Sequence, residues 1–81
     1  MLSPEDIKYF DDMDAMFGTV GWRRLVEEAK AQIYQYQAQA LEAPNFEIVC
    51  FLRGQAEQLN RLISLPDTLA TVRKAAEEAE E

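Results

Sequence analysis

Apolar residues recur along the chain at three- and four-residue steps, in four successive blocks. The strongest run is Trp22, Leu25, Val26, Ala29, Ile33, Tyr36 and Ala40, which falls within about a third of a helix circumference and predicts a helix over about 20–42. At about 1.5 Å per residue, such a helix spans roughly 33 Å. A second run, Val49, Leu52, Ala56, Leu59 and Ile63, predicts a helix over about 46–64. Beside it lies an adjoining line of Ile48, Phe51, Gln55 and Leu62, so the apolar face of this helix takes up nearly half the circumference. One partner helix does not cover so wide a face. Ahead of these runs, Ile7, Phe10, Asp14 and Phe17 share one line with Met13 and Met16 nearby, an apolar stripe interrupted by an acid, over about 4–17. After them, Leu65, Leu69, Val72 and Ala76 give a narrow apolar edge over about 66–79. The expected class is all-α: an antiparallel helical hairpin flanked by two shorter helices, in a single domain over 1–81.

The residues between the runs carry the matching punctuation. Ser3-Pro4-Glu5-Asp6 reads as a helix start, with a capping hydroxyl, a proline where no amide is needed and two acids at the positive end of the dipole. Gly18 ends the first helix and Thr19 caps the second. Pro44 disfavours helix at Ala43, and Asn45 is a cap for the third helix. Leu65-Pro66-Asp67 breaks or kinks the chain, with Ser64 placed to cap the last helix. The acids of 77–81 lie at the unfavourable end of that helix, which predicts fraying. Gly54, inside the third helix, costs about 1 kcal/mol relative to Ala, so it is expected to mark a bend or a close backbone approach.

Composition narrows the class. Hydrophobic residues make up 48% of the 81, enough for a folded core, yet a chain this short buries only about 60% of the surface it exposes when unfolded. Stability should be thin. The net charge of −7 is uneven. Glu5, Asp6, Asp11, Asp12 and Asp14 against Lys8 leave −4 over 1–14, and Asp67, Glu77, Glu78, Glu80 and Glu81 against Arg73 and Lys74 leave −3 over 67–81. The middle is neutral, and there Arg23 and Glu27, Arg24 and Glu28, Arg53 and Glu57, and Glu57 and Arg61 stand four apart, the spacing of ion pairs on a solvated helix face.

Candidate chemistry is sparse. There is no His, and the single Cys, Cys50, sits among Ile48, Val49, Phe51 and Leu52, where it is expected to pack as a small apolar group. The usual zinc, nucleophile and dithiol arrangements are therefore excluded, and no catalytic, cofactor-binding or metal-ligating residues are assigned. Asp11, Asp12 and Asp14 cluster without the alternation and glycine turn of an oxygen-ligand loop, which makes a solvated helix face the better reading. Gly18 and Gly21 before a helix echo a phosphate cradle faintly, without the preceding strand or the following Lys. The basic residues form no stripe, which argues against direct nucleic-acid binding. Met1 to Phe10 carries acids without a basic flank, and nowhere do about 18 apolar residues run together, so an intracellular origin without membrane insertion is expected.

Two stretches carry a family resemblance. Met16-Phe17-Gly18-Thr19-Val20-Gly21-Trp22, leading into a long helix with Leu25 and Val26, is followed by a second helix with Phe51-Leu52-Arg53-Gly54-Gln55 and then Leu59, Leu62 and Leu65. Over about residues 16–65 the chain resembles small helical-hairpin proteins encoded among the head and structural genes of short-tailed bacteriophages. Val20 stands where that pattern has proline. The resemblance implies a context: a virion or its assembly, with capsid, portal or tail proteins, or further copies of the chain, as partners, and the virion or host cytoplasm as location. The residues expected at the packed seam are Trp22, Tyr36, Phe51, Leu52, Leu59 and Ile63, with Gly54 at the closest approach, so that Gly54→Leu should disrupt the hairpin or its assembly. Tyr34, Leu41 and Phe46 lie to the side of the main stripes; either the terminal helices cover the surplus apolar surface or a partner does. The alternative reading is a small acidic inhibitor of a host protein, acting as a nucleic-acid mimic or anti-defence factor.

Overall fold

The computed structural model describes residues 2–79, which form four helices: α1 (Pro4–Phe17), α2 (Val20–Leu41), α3 (Phe46–Ile63) and α4 (Leu65–Glu78). The helix ends differ from the sequence expectation by one residue at the close of α2 and α3 and at both ends of α4. Glu80 and Glu81, part of the tail for which fraying is predicted, lie outside the described residues.

Three of the four expected caps form. Ser3 has an extended backbone, which turns its hydroxyl back to accept from the Asp6 N–H at 3.1 Å, while the Asp6 carboxylate accepts from the Ser3 N–H at 3.1 Å. Thr19 Oγ1 accepts from the Trp22 N–H at 3.1 Å, and Asn45 Oδ1 from the Ile48 N–H at 3.0 Å. The fourth does not form. Ser64 stays in the right-handed helical region (φ −90°, ψ −1°) and makes no side-chain cap bond, because a cap residue needs the extended backbone that Ser3 has. Its carbonyl instead accepts from the Thr68 N–H at 3.0 Å, so the chain passes from α3 into α4 through one turn residue, with Pro66 where a helix tolerates a missing amide. Gly18 ends α1 without a left-handed backbone: its N–H donates to Ala15 O at 3.2 Å and the Thr19 N–H donates to Met16 O at 3.0 Å, tightening the last turn.

The chain divides into two compact units, the residues before Arg24 together with those after Ile63, and Arg24–Ile63. In the first, α4 packs on α1. Phe10 is buried there, with the guanidinium of Arg73 over its ring at 5.7 Å. Asp14, the acid that interrupts the α1 stripe, has a partner in the same cation: Arg73 Nη1 lies 3.2 Å from Asp11 and 3.4 Å from Asp14. Trp22 belongs to this unit as well, its ring 4.9 Å from that of Phe17 and tilted by 52°.

The second unit is the antiparallel hairpin of α2 and α3 across the turn at 42–45. Its buried residues are Ala29 and Ile33 on α2 and Leu52 and Ala56 on α3, a four-residue step on each helix that keeps one line of each facing the core. The core is narrow, and among the described residues no large side chain is fully enclosed.

Candidate interaction surface

The hairpin sorts the expected seam residues by their angle from the buried line. Leu52 is buried, and Tyr36, Leu59 and Ile63 are half-buried. Phe51 is not in the seam. It comes one residue, about 100° of helix, before Leu52 and is 64% exposed. Trp22 lies outside the hairpin unit and is half-buried against Phe17.

Gly54 and Cys50 both differ from the sequence expectation. Each stands two residues from Leu52, about 200° round the helix and hence on the side away from the core, and they stand four apart on one line. A Cβ built on Gly54 would meet nothing within 4 Å, so among the described residues no neighbouring backbone approaches it. Cys50 is exposed rather than packed as an apolar group. Apolar neighbours in sequence did not bury it, because neighbours in sequence point in different directions on a helix.

What the second unit offers is a set of large apolar side chains on lines next to its buried ones. On α3, Ile48 and Phe51 are exposed while Gln55 and Leu62 of the same line are half-buried. Phe46, at the start of α3, is 75% exposed. On α2, Tyr34 and Leu41 are 75% and 89% exposed and stand seven apart, on one line. Each follows by one residue a more buried one, Ile33 or Ala40. Tyr34, Leu41 and Phe46, which the sequence pattern places to the side of the main stripes, are thus all left exposed.

Between the two helices runs an open groove of about 420 Å³. Tyr36, Gln37 and Ala40 of α2 line it with Leu52, Arg53, Ala56, Glu57 and Asn60 of α3. The lining mixes apolar residues with polar ones and one charge of each sign, Arg53 and Glu57. Of the four ion pairs expected from spacing, Glu57–Arg61 forms at 3.0 Å, and the other three are absent among the described residues. Glu57 has an arginine four residues to either side and takes the one after it, the order that the helix dipole favours.

Three of the five acids of α1, Asp11, Asp12 and Asp14, are engaged as ion-pair partners. Lys8 Nζ lies 2.8 Å from Asp12, and this contact raises the Lys8 pKa above its usual 10.5. Arg73 is raised above its usual value, chiefly by its hydrogen bond to Asp11. Since both shifts are upward, whatever these cations contribute is fully present below their unfolded pKa values and is lost only as pH rises through the folded ones, from 10.5 upward for Lys8. Among the described residues no three Cys, Asp or Glu side chains gather as metal ligands, and no helix is long and apolar enough to cross a membrane. Comparison of the chain with protein-family models, with curated proteins and with solved structures finds no match.

Proposed function

We propose that this chain is a non-enzymatic bacteriophage structural or virion-assembly accessory protein, which binds capsid, portal or tail proteins, or further copies of itself, through the apolar flank of α3. The phage context comes from the resemblance carried by residues 16–65. The binding surface is argued from one observation above the others, the exposure of Phe51 next to the buried Leu52. Covering a phenyl ring that is 64% exposed removes on the order of 100 Å² of apolar surface from water, about 2–3 kcal/mol at ~25 cal/mol per Å². Ile48 and Leu62 on the same line extend that surface. Clusters of this kind on a small protein mark interfaces.

The test joins location with binding. Virions and assembly intermediates of the encoding phage are assayed for the chain by quantitative mass spectrometry, and the purified chain is titrated against that phage's capsid, portal and tail proteins. Stoichiometric presence is expected, with Phe51→Ser weakening binding roughly 30- to 100-fold. Phe51→Ser should change stability by less than about 0.5 kcal/mol, as an exposed site does, whereas Leu52→Ala should cost about 2–5 kcal/mol. Absence from particles and intermediates together with no binding, or full binding by Phe51→Ser, defeats the proposal.

A further inference from the structure

The first unit packs two helices of like charge. α1 carries five acids against Lys8, net −4, and α4 carries Asp67, Glu77 and Glu78 against Arg73 and Lys74, net −1. Lys8 is committed to Asp12 on its own helix. Among the described residues, the ion pairs that cross from one helix to the other both belong to Arg73. Its Nη1 reaches Asp11 and Asp14, its Nε lies 3.2 Å from Glu77 Oε1 one turn along α4, and its guanidinium carbon lies over the ring of Phe10. The Arg73 side chain is only 27% exposed, whereas its three carboxylate partners are more than half exposed.

We propose that Arg73 is a salt-sensitive clasp by which α4 closes over Phe10 of α1, and that the two helices separate when the clasp is screened. One planar guanidinium holds both α1 carboxylates while its own helix contributes Glu77 from behind, so a single side chain turns repulsion between the helices into attraction. Withdrawing it leaves net −4 beside net −2 and uncovers Phe10, on the line it shares with Ile7, Asp14 and Phe17. Salt is the lever because the carboxylates face solvent: the screening length falls from about 10 Å at 0.1 M to about 3 Å at 1 M. The device lies outside the hairpin flank and stands or falls independently of what that flank binds.

Hydrogen exchange of the full chain tests it, followed by mass spectrometry at 0.05 and 1 M sodium chloride, with the α3 amides as internal reference. In the wild type, high salt should speed exchange in α4 and α1 about three- to tenfold relative to α3. Arg73→Gln should show about tenfold faster exchange in those helices already at low salt, with no further speeding at high salt because screening then relieves only the remaining repulsion, and Arg73→Lys should lie in between because an ammonium lacks the fork. Asp11→Asn with Asp14→Asn, which leaves the Arg73–Phe10 contact in place, should reproduce the low-salt loss, and it decides the matter if Arg73→Gln fails to fold. Exchange in α4 within twofold of wild type in the variants, or an equal salt response with and without the pairs, overturns the clasp.

Discussion

Replacing Gly54 with alanine separates two accounts of α3. A glycine in a helix interior leaves the unfolded chain more freedom and the folded helix less support, at a cost of about 0.5–1 kcal/mol relative to alanine. That cost is tolerated when a neighbouring backbone needs the missing Cβ's space. Here none does: the site has no positive φ, and an added Cβ reaches no atom within 4 Å. Gly54→Ala should therefore stabilise the isolated chain by about 0.5–1 kcal/mol, which for a chain of this size raises the melting temperature by about 2–8 °C. Circular dichroism at 222 nm during a thermal ramp reads this directly, in dilute solution where self-association is weakest. Gly54→Leu, which the sequence alone expects to disrupt the hairpin, should fold and melt near the alanine variant, since leucine is nearly as good a helix former. A melting temperature at or below wild type for Gly54→Ala refutes the reasoning. If the loss grew with protein concentration, the missing neighbour would be a second copy seated over Gly54, because an association that stabilises the fold makes melting concentration-dependent.

Two further outcomes follow from the local geometry. In urea melts, Thr19→Ala and Asn45→Ala should each cost about 0.5–2 kcal/mol, whereas Ser64→Ala should stay within about 0.5 kcal/mol of wild type because its hydroxyl caps nothing; equal costs at all three sites would contradict the observed cap bonds. Cys50 should react with a thiol reagent in the native chain at a rate within about tenfold of the denatured one, and a thiol that reacts only after denaturation would place a cover over that line of α3 in solution.

Features that depend on a few adjacent residues were legible. The four helices follow from the apolar steps, and the caps at Ser3, Thr19 and Asn45 from residue type and position, because a cap bond closes over three residues and needs nothing from the rest of the fold. Ser64 had the right type and the wrong backbone, which is decided by how α3 runs on into α4. Spacing alone overstated the ion pairs: Arg23 and Glu27 stand within reach on a helix, but exposed pairs gain only about 0.3–0.5 kcal/mol and many do not form. The Arg73 pairs to Asp11 and Asp14 are beyond the reach of spacing, since they join residues 62 and 59 apart and no local pattern encodes them. The only hint was Asp14 in an otherwise apolar line, an acid that needed a cation from somewhere. For the candidate surface, the sequence pattern places Phe51 in the seam and the structure leaves it 64% exposed, because a stripe drawn wide enough to include it spans more of the circumference than one facing helix buries.

The exposure of Phe51 is the physical ground for proposing a partner. A two-helix hairpin buries one line on each helix, here Ala29 and Ile33 on α2 and Leu52 and Ala56 on α3, of which two are alanines with little surface to remove from water. The larger side chains, Phe46, Phe51, Tyr34 and Leu41, stand on the neighbouring lines, where they add nothing to the hairpin's own stability and carry the solubility cost of exposed apolar surface. A sequence shaped only to fold alone would exchange these positions, placing the large residues on the buried line and polar ones beside it. On the proposed binding reading, the remaining burial is completed by association, and binding and folding would then draw on the same surface. Any ligand that covers the Phe51 line then raises the stability of the chain by an amount set by its concentration relative to its dissociation constant, about 2.7 kcal/mol at a hundredfold excess over that constant. For a chain with so narrow a core, a gain of that size is large beside the whole of its stability, which for folded domains in general is only about 5–15 kcal/mol.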